Sequence, residues 1–158
     1  KGAKTWDTAL LGLYGVAMMI MWIVAGLDMR YAWSSGILPP AQIVAGLMVI
    51  AGYALVVWAT GTNAFFSQVV RIQTERGHTV VSSGPYRLVR HPAYVGMILV
   101  ALSSPIMLGS WWALIAGVVS AALVVTRTAL EDKTLQAELA GYKDYAERTR
   151  YRLLPGVW

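Results

Sequence analysis

The sequence has no cysteine. That excludes disulfides, thiolate metal sites and cysteine nucleophiles, and it leaves the redox compartment open. Charge is scarce as well: Asp, Glu, Lys and Arg make up 13% of residues, against about 25% in a typical soluble domain. Histidine occurs twice, at His78 and His91; without a third ligand nearby the pair is a weak metal signal, and no metal is expected. There is no Gly-x-Gly-x-x-Gly, no P-loop and no Ser/His/Asp arrangement, and no heptad pattern, repeat or low-complexity tract. The first residue is Lys1 rather than Met, which leaves open a native start further upstream.

Apolar side chains are abundant, at 57% of 158 residues. The length suits one domain, and apolar stretches recur along all of it, so the expected class is an all-α integral membrane protein rather than a secreted chain with a leader. Thr8–Leu27 is twenty uncharged residues, enough to cross a hydrocarbon core of roughly 30 Å. Asp28-Met29-Arg30 closes it, and Tyr31 and Trp33 sit where interfacial aromatics belong. Gln42–Thr60 is a second stretch of spanning length, which Gly61-Thr62-Asn63 weakens but which has scope to continue as helix toward Val70.

Tyr94–Leu108 is only fifteen residues, about 22 Å as a helix. Gly109-Ser110 turns the chain, and Trp111–Thr126 returns with scope to run on as one helix to about Tyr145. Ala113, Gly117 and Ala121 are four apart, the small-residue spacing that lets helices approach closely in lipid. The expected architecture is therefore about four membrane-embedded helices, the last two a hairpin. Residues 1–62 hold two spans, and residues 63–158 form the functional part of a single domain. With four spans, twelve of the thirteen Lys and Arg residues share one side, with Arg30 alone opposite. That side, carrying both termini, is expected to be cytoplasmic. The net charge of +5 is read as this topology signal rather than as nucleic-acid binding.

The polar connection Val69–Pro92 is the unusual segment. Ser82-Ser83-Gly84-Pro85 marks a turn, with Pro85 suited to its second position, and Pro92 suits the first turn of a helix. Tyr86, Arg90, His91 and Tyr94 converge on that helix N-terminus, where free N–H groups favour an anion. His91 on its own is as well explained as a helix cap. Arg127 and Glu131 share a helix face; they are either a surface ion pair of little worth or, since Arg127 emerges straight from an apolar run, charges that face a cavity.

The run His78-Thr79-Val80-Val81-Ser-Ser-Gly-Pro-Tyr86, then Arg90-His91-Pro92-Ala93-Tyr94-Val-Gly96, then Arg127-x-x-x-Glu131-Asp132 resembles the isoprenylcysteine carboxyl methyltransferase family and its bacterial relatives, within a wider group of phospholipid methyltransferases. Gly141-Tyr142-x-x-Tyr145 and Arg152-Leu-Leu-Pro155 resemble the same family's tail, so the likeness covers about Asn63–Pro155. It implies an integral-membrane methyltransferase using S-adenosylmethionine in a pocket between the polar connection and the C-terminal helix. By motif the cofactor contacts are Gln73, His78, Thr79, Val80, Val81, Tyr86, His91, Pro92, Ala93, Tyr94 and Glu131. Arg127 takes the position that faces the methyl acceptor, with Arg152 as a tail alternative. Gln73 stands closer to His78 than in eukaryotic members, and Asp132 replaces the usual second Glu. The implied partners are membrane lipids and a lipophilic or lipid-modified substrate, with a prenylcysteine-like carboxylate most resembled. A phospholipid, small amine or thiol acceptor, or a non-methylating membrane reductase, are the alternatives. The oligomeric state is not expressed in the sequence.

Overall fold

A computed structural model describes residues 4–158; the topology cation expected at Lys1 lies outside them. The chain is helical, and among the described residues there is no strand. Helix α1 spans Thr5–Tyr31, α2 Pro39–Thr62, α3 Pro92–Met107, α4 Trp111–Glu138 and α5 Tyr142–Arg148. Short 3₁₀ turns at Thr74–Arg76 and Gly84–Arg87 punctuate the connection between α2 and α3. Helices α1, α2 and α4 are long and apolar enough to cross a membrane, and α3 is a shorter apolar helix.

Helix α1 packs on α4, α4 on α3 and α3 on α2. Large apolar side chains are left exposed on the outer faces, among them Leu13, Ile20 and Trp22 of α1, Leu47 and Ile50 of α2, and Ile115 and Val118 of α4. In water such a belt would be a liability; against lipid tails it is the expected solvent-facing surface. The interior contacts are made by small residues. A Cβ on Gly96 of α3 would lie 2.5 Å from the Gly52 carbonyl oxygen of α2, and one on Gly117 of α4 would lie 2.4 Å from the Ala101 carbonyl oxygen of α3. Pro105 sits inside α3 and has no N–H to give to that same Ala101 carbonyl. Gly117 thus lies against the one carbonyl of α3 that the proline frees, and its lack of a side chain permits the approach.

Two helix ends differ from the sequence expectation. Helix α2 stops at Thr62 instead of continuing toward Val70, because the Asn63 side chain turns the chain: its Oδ1 accepts from the Phe65 N–H at 2.9 Å, offering the backbone a partner outside the helix. Helix α4 ends at Glu138 rather than near Tyr145. Gly141 takes a left-handed φ of 78° that needs glycine, and the chain restarts as α5. Pro92 does open α3, with His91 as its N-cap.

The α1 start, the α2 end, the α3 start and the lower part of α4 gather at one end of the bundle. At the opposite end, buried Asp28 accepts from the Ser34 N–H at 2.6 Å and from the Ser110 hydroxyl, tying the α1–α2 turn to the α3–α4 turn.

Candidate active site

The gathered end holds a cleft with about 790 Å³ of empty space, part of it open to solvent. Its walls are the 63–71 and 78–81 segments, Tyr86, the 90–94 segment that opens α3, Glu131 and Leu135 of α4, and Tyr142 and Tyr145 of α5. Of the residues expected to hold a cofactor, all but Gln73 line it. Gln73 is buried behind it as a brace: its Nε2 donates to the Phe65 carbonyl at 2.6 Å, its Oε1 accepts from Arg76 Nη1 at 2.8 Å, and its N–H donates to His78 Nδ1 at 3.3 Å. His78 is held neutral, with burial and then the Arg76 charge lowering its pKa, and its ring stacks on Phe65 at 4.7 Å.

The α3 end of the cleft is built on Asp132, which is fully buried. Arg90 reaches it with two prongs, Nε to Oδ1 at 2.7 Å and Nη2 to Oδ2 at 3.0 Å. Arg90 Nη1 donates to the Thr149 and Arg150 carbonyls at 2.8 and 2.7 Å. Asp132 also accepts from Tyr142 Oη at 3.1 Å and Arg152 Nε at 2.9 Å, and His91 Nε2 lies 3.3 Å away. Burial and then the Asp132 charge push the Tyr142 hydroxyl well above its usual range, so it stays a donor. The tail is laid along the same strip of backbone, where the Arg90 N–H donates to the Tyr151 carbonyl at 2.9 Å and the His91 N–H to the Arg152 carbonyl at 3.0 Å. Asp132 therefore joins α4, α5, the tail and the start of α3 into one wall.

His91 stacks flat on Tyr94, centroids 5.6 Å apart, and the Tyr94 hydroxyl donates to Glu131. The N–H groups of Tyr94 and Val95 both turn to the His91 carbonyl, at 3.1 and 3.3 Å, and Pro92 has none. The α3 terminus is thus largely satisfied from within and is a poorer anion site than its sequence suggests.

Arg127 and Arg152 do not line the cleft. Arg127 is buried behind Tyr94, its guanidinium 5.2 Å from that ring's centroid. It makes no ion pair with Glu131. Its Nε donates to Asp7 Oδ1 at 2.6 Å, and its Nη2 to Asp7 Oδ2 at 3.3 Å and to the Gln68 carbonyl at 2.5 Å. Asp7 also accepts from the Val70 N–H at 2.7 Å. Arg152 is half-buried, held by Asp132 and stacked 4.8 Å from the Trp158 ring. Asp7 escaped the sequence reading, although an acid in the first turn of an apolar helix lies at the same interfacial depth that drew attention to Arg127. Phe65, Arg71, Leu135 and Leu139 carry no sequence signal of a site; only the fold brings them to the cleft. Among the described residues no group of three His, Asp or Glu is placed to hold a metal.

The model of the isoprenylcysteine carboxyl methyltransferase family matches residues 44–137, more than half of the chain. The chain belongs to this family. The matched span contains most of the cleft and most of the two long helices that flank it, α2 and α4; Asp7 and the tail lie outside it. A "Probable protein-S-isoprenylcysteine O-methyltransferase" of Oryza sativa subsp. indica is 38% identical over 63 residues, covering 39% of this chain and 33% of that protein. The protein-S-isoprenylcysteine O-methyltransferase of Rattus norvegicus is 36% identical over 112 residues, covering 65% of this chain and 37% of that protein. That of Schizosaccharomyces pombe is 39% identical over 46 residues, covering 29% of this chain and 20% of that protein. The chain spans about a third of the length of the curated relatives it matches.

Proposed function

We propose that this protein is an integral-membrane methyltransferase that uses S-adenosylmethionine and acts on a lipophilic acceptor, with a prenylcysteine-like carboxylate as the leading candidate. The observation that carries this reading is the cleft itself. Residues from four separated parts of the sequence, among them the motif residues His78–Val81, Tyr86, Arg90–Tyr94 and Glu131, converge where apolar helices give way to polar chain. The side chains there fit the donor. Glu131 offers a carboxylate to a cationic group, and the aromatic side chains of Tyr86 and Tyr142 suit a sulfonium and a purine.

Bound there, S-adenosylmethionine supplies a methyl group already activated on sulfur. The residues then have to position and to tune charge. The Asp132 network holds the His91–Tyr94 wall still. Glu131, aimed by the Tyr94 hydroxyl, accepts from the donor's polar groups. A carboxylate acceptor needs no general base, only a cation to orient it. Arg127 stands behind Tyr94 with its Nε and Nη2 edge occupied by Asp7 and Gln68, leaving Nη1 to turn toward an acceptor. A second reading, an uncharged amine or thiol acceptor, draws on the same pair: Asp7 neutralises Arg127, which weakens its pull on an anion. The cation asymmetry supports a cytoplasmic cleft and termini, so that the polar donor arrives from the cytosol and the acceptor from the lipid.

The test is methyl-label incorporation by the purified protein in detergent. It should be offered in parallel an S-prenylated cysteine with a free carboxylate, an aminophospholipid and a lipophilic thiol. Alkali-labile label on the first supports the carboxylate reading. Alkali-stable label on either of the others supports the second. Binding of NADPH without binding of S-adenosylmethionine overturns both.

A further inference from the structure

The charged groups lining the cleft among the described residues are Arg71, Arg90 and Glu131. They are not equivalent. Arg90 is 7% exposed and commits four of its five N–H donors to Asp132 and two carbonyls, so it is already held within the wall. Arg71 has a single ionic contact among the described residues, Nη1 to Glu75 Oε1 at 3.4 Å, and the Glu75 side chain is itself 58% exposed. An exposed pair of this kind is worth little, and a competing anion can exchange for it at small cost.

The backbone around Arg71 is nevertheless well fixed. On one side the Val70 N–H donates to buried Asp7 at 2.7 Å. On the other, Gln73 is 1% exposed and hydrogen-bonded at both ends of its amide. The backbone that carries Arg71 is held while its guanidinium stays uncommitted, so its planar donor fork is available to an incoming anion. The cleft therefore presents one cation not already held within its wall, Arg71, and one carboxylate, Glu131. Its charge pattern is that of a receptor for a ligand carrying an anion and a cation together.

The geometry points to Arg71 as the carboxylate-binding residue of the cleft. It pairs with a ligand carboxylate while Glu131 takes the ligand's cationic group. This rests on the donor reading above. S-adenosylmethionine has both features, an α-carboxylate and two cationic centres, and a prenylcysteine-like acceptor also has a carboxylate, so the chemistry is shared by two sources.

Calorimetry on the full chain in detergent separates them, with S-adenosylmethionine and its decarboxylated form as probes. Arg71→Ala is expected to weaken S-adenosylmethionine about tenfold or more, the loss of a hydrogen bond between charged groups. It should leave the decarboxylated form unchanged and barely move the melting temperature. Arg71→Lys should recover part of the loss, and Glu75→Gln should cause none. If both donor affinities hold but the KM for a carboxylate-bearing acceptor rises by a similar factor, the carboxylate bound is the acceptor's. Equal weakening of both donor forms, or no change in either affinity or in KM, overturns the assignment. Failure of the unsubstituted protein to bind either donor form overturns the donor reading beneath it.

Discussion

Replacing Arg127 by Ala removes a guanidinium that donates three hydrogen bonds, two of them to Asp7. Asp7 is 0% exposed, and afterwards its only remaining partner among the described residues is the Val70 N–H. Stranding one member of a buried ion pair costs about 3–5 kcal/mol, so Arg127→Ala is expected to lower thermal stability markedly as well as turnover. Asp7→Asn keeps the shape but removes the charge and should cost about 1.5–3 kcal/mol. The two residues touch, so the double substitution Asp7→Asn with Arg127→Gln should cost less than the sum, with a coupling of about 0.5–3 kcal/mol. Arg127→Lys should rescue poorly, because an ammonium cannot hold both Asp7 oxygens and the Gln68 carbonyl from one planar edge. The assay is thermal unfolding by circular dichroism in a single detergent, with donor calorimetry and methyl transfer measured on the protein that remains folded. A loss below about 0.5 kcal/mol for Asp7→Asn, the size of an ordinary surface change, would refute the buried pair. Abolished donor binding in a folded Arg127→Lys protein would move Arg127 from the acceptor side to the donor site.

Asp132→Asn should destabilise the wall that carries His91 and weaken donor binding, whereas Asp132→Glu should retain most stability because the charge persists; equal melting temperatures for all three proteins would remove Asp132 as the hub. Gly117→Ala places a methyl against the Ala101 carbonyl and should cost about 1–3 kcal/mol, whereas Gly12→Ala, with nothing within 4 Å, should be neutral or stabilising in the same melt. His78 has its pKa lowered by burial and by Arg76, so its contribution is present above the unfolded-state pKa, about 6.5, and is lost as pH falls through the lower folded value, when protonation of Nδ1 breaks the bond from the Gln73 N–H. Stability measured from pH 7.5 down to pH 5 should fall more steeply in the parent than in His78→Gln, and parallel profiles would refute that assignment. Single cysteines at Thr5 and Ser35, clean probes in a chain with no cysteine, should label from opposite membrane faces, and labelling of both from one face would overturn the proposed orientation.

Composition and apolar run length alone determined that the protein is helical and built for lipid, where the backbone must satisfy itself within each segment. Local chemistry set the start of α3 at Pro92, the turn at Gly109-Ser110 and the small-residue face of α4. One wall of the cleft was legible in a single motif-bearing stretch, residues 78–94, because a wall made from one continuous segment leaves its pattern in order along the chain. Partner choice was not legible in this way. Arg127 and Glu131 share a helix face, yet Arg127 turns to Asp7, 120 residues away, and Glu131 to Tyr94. The α2 end at Asn63 and the α4 break at Gly141 each depended on which nearby group captured the backbone. Arg71 reads as an ordinary loop cation until Arg90 is seen to be committed to Asp132 and the tail carbonyls. The ion-pair outcomes rest on contacts between residues distant in sequence, where buried charges take whichever partner the packing brings within hydrogen-bond reach. Only the tertiary structure decides that.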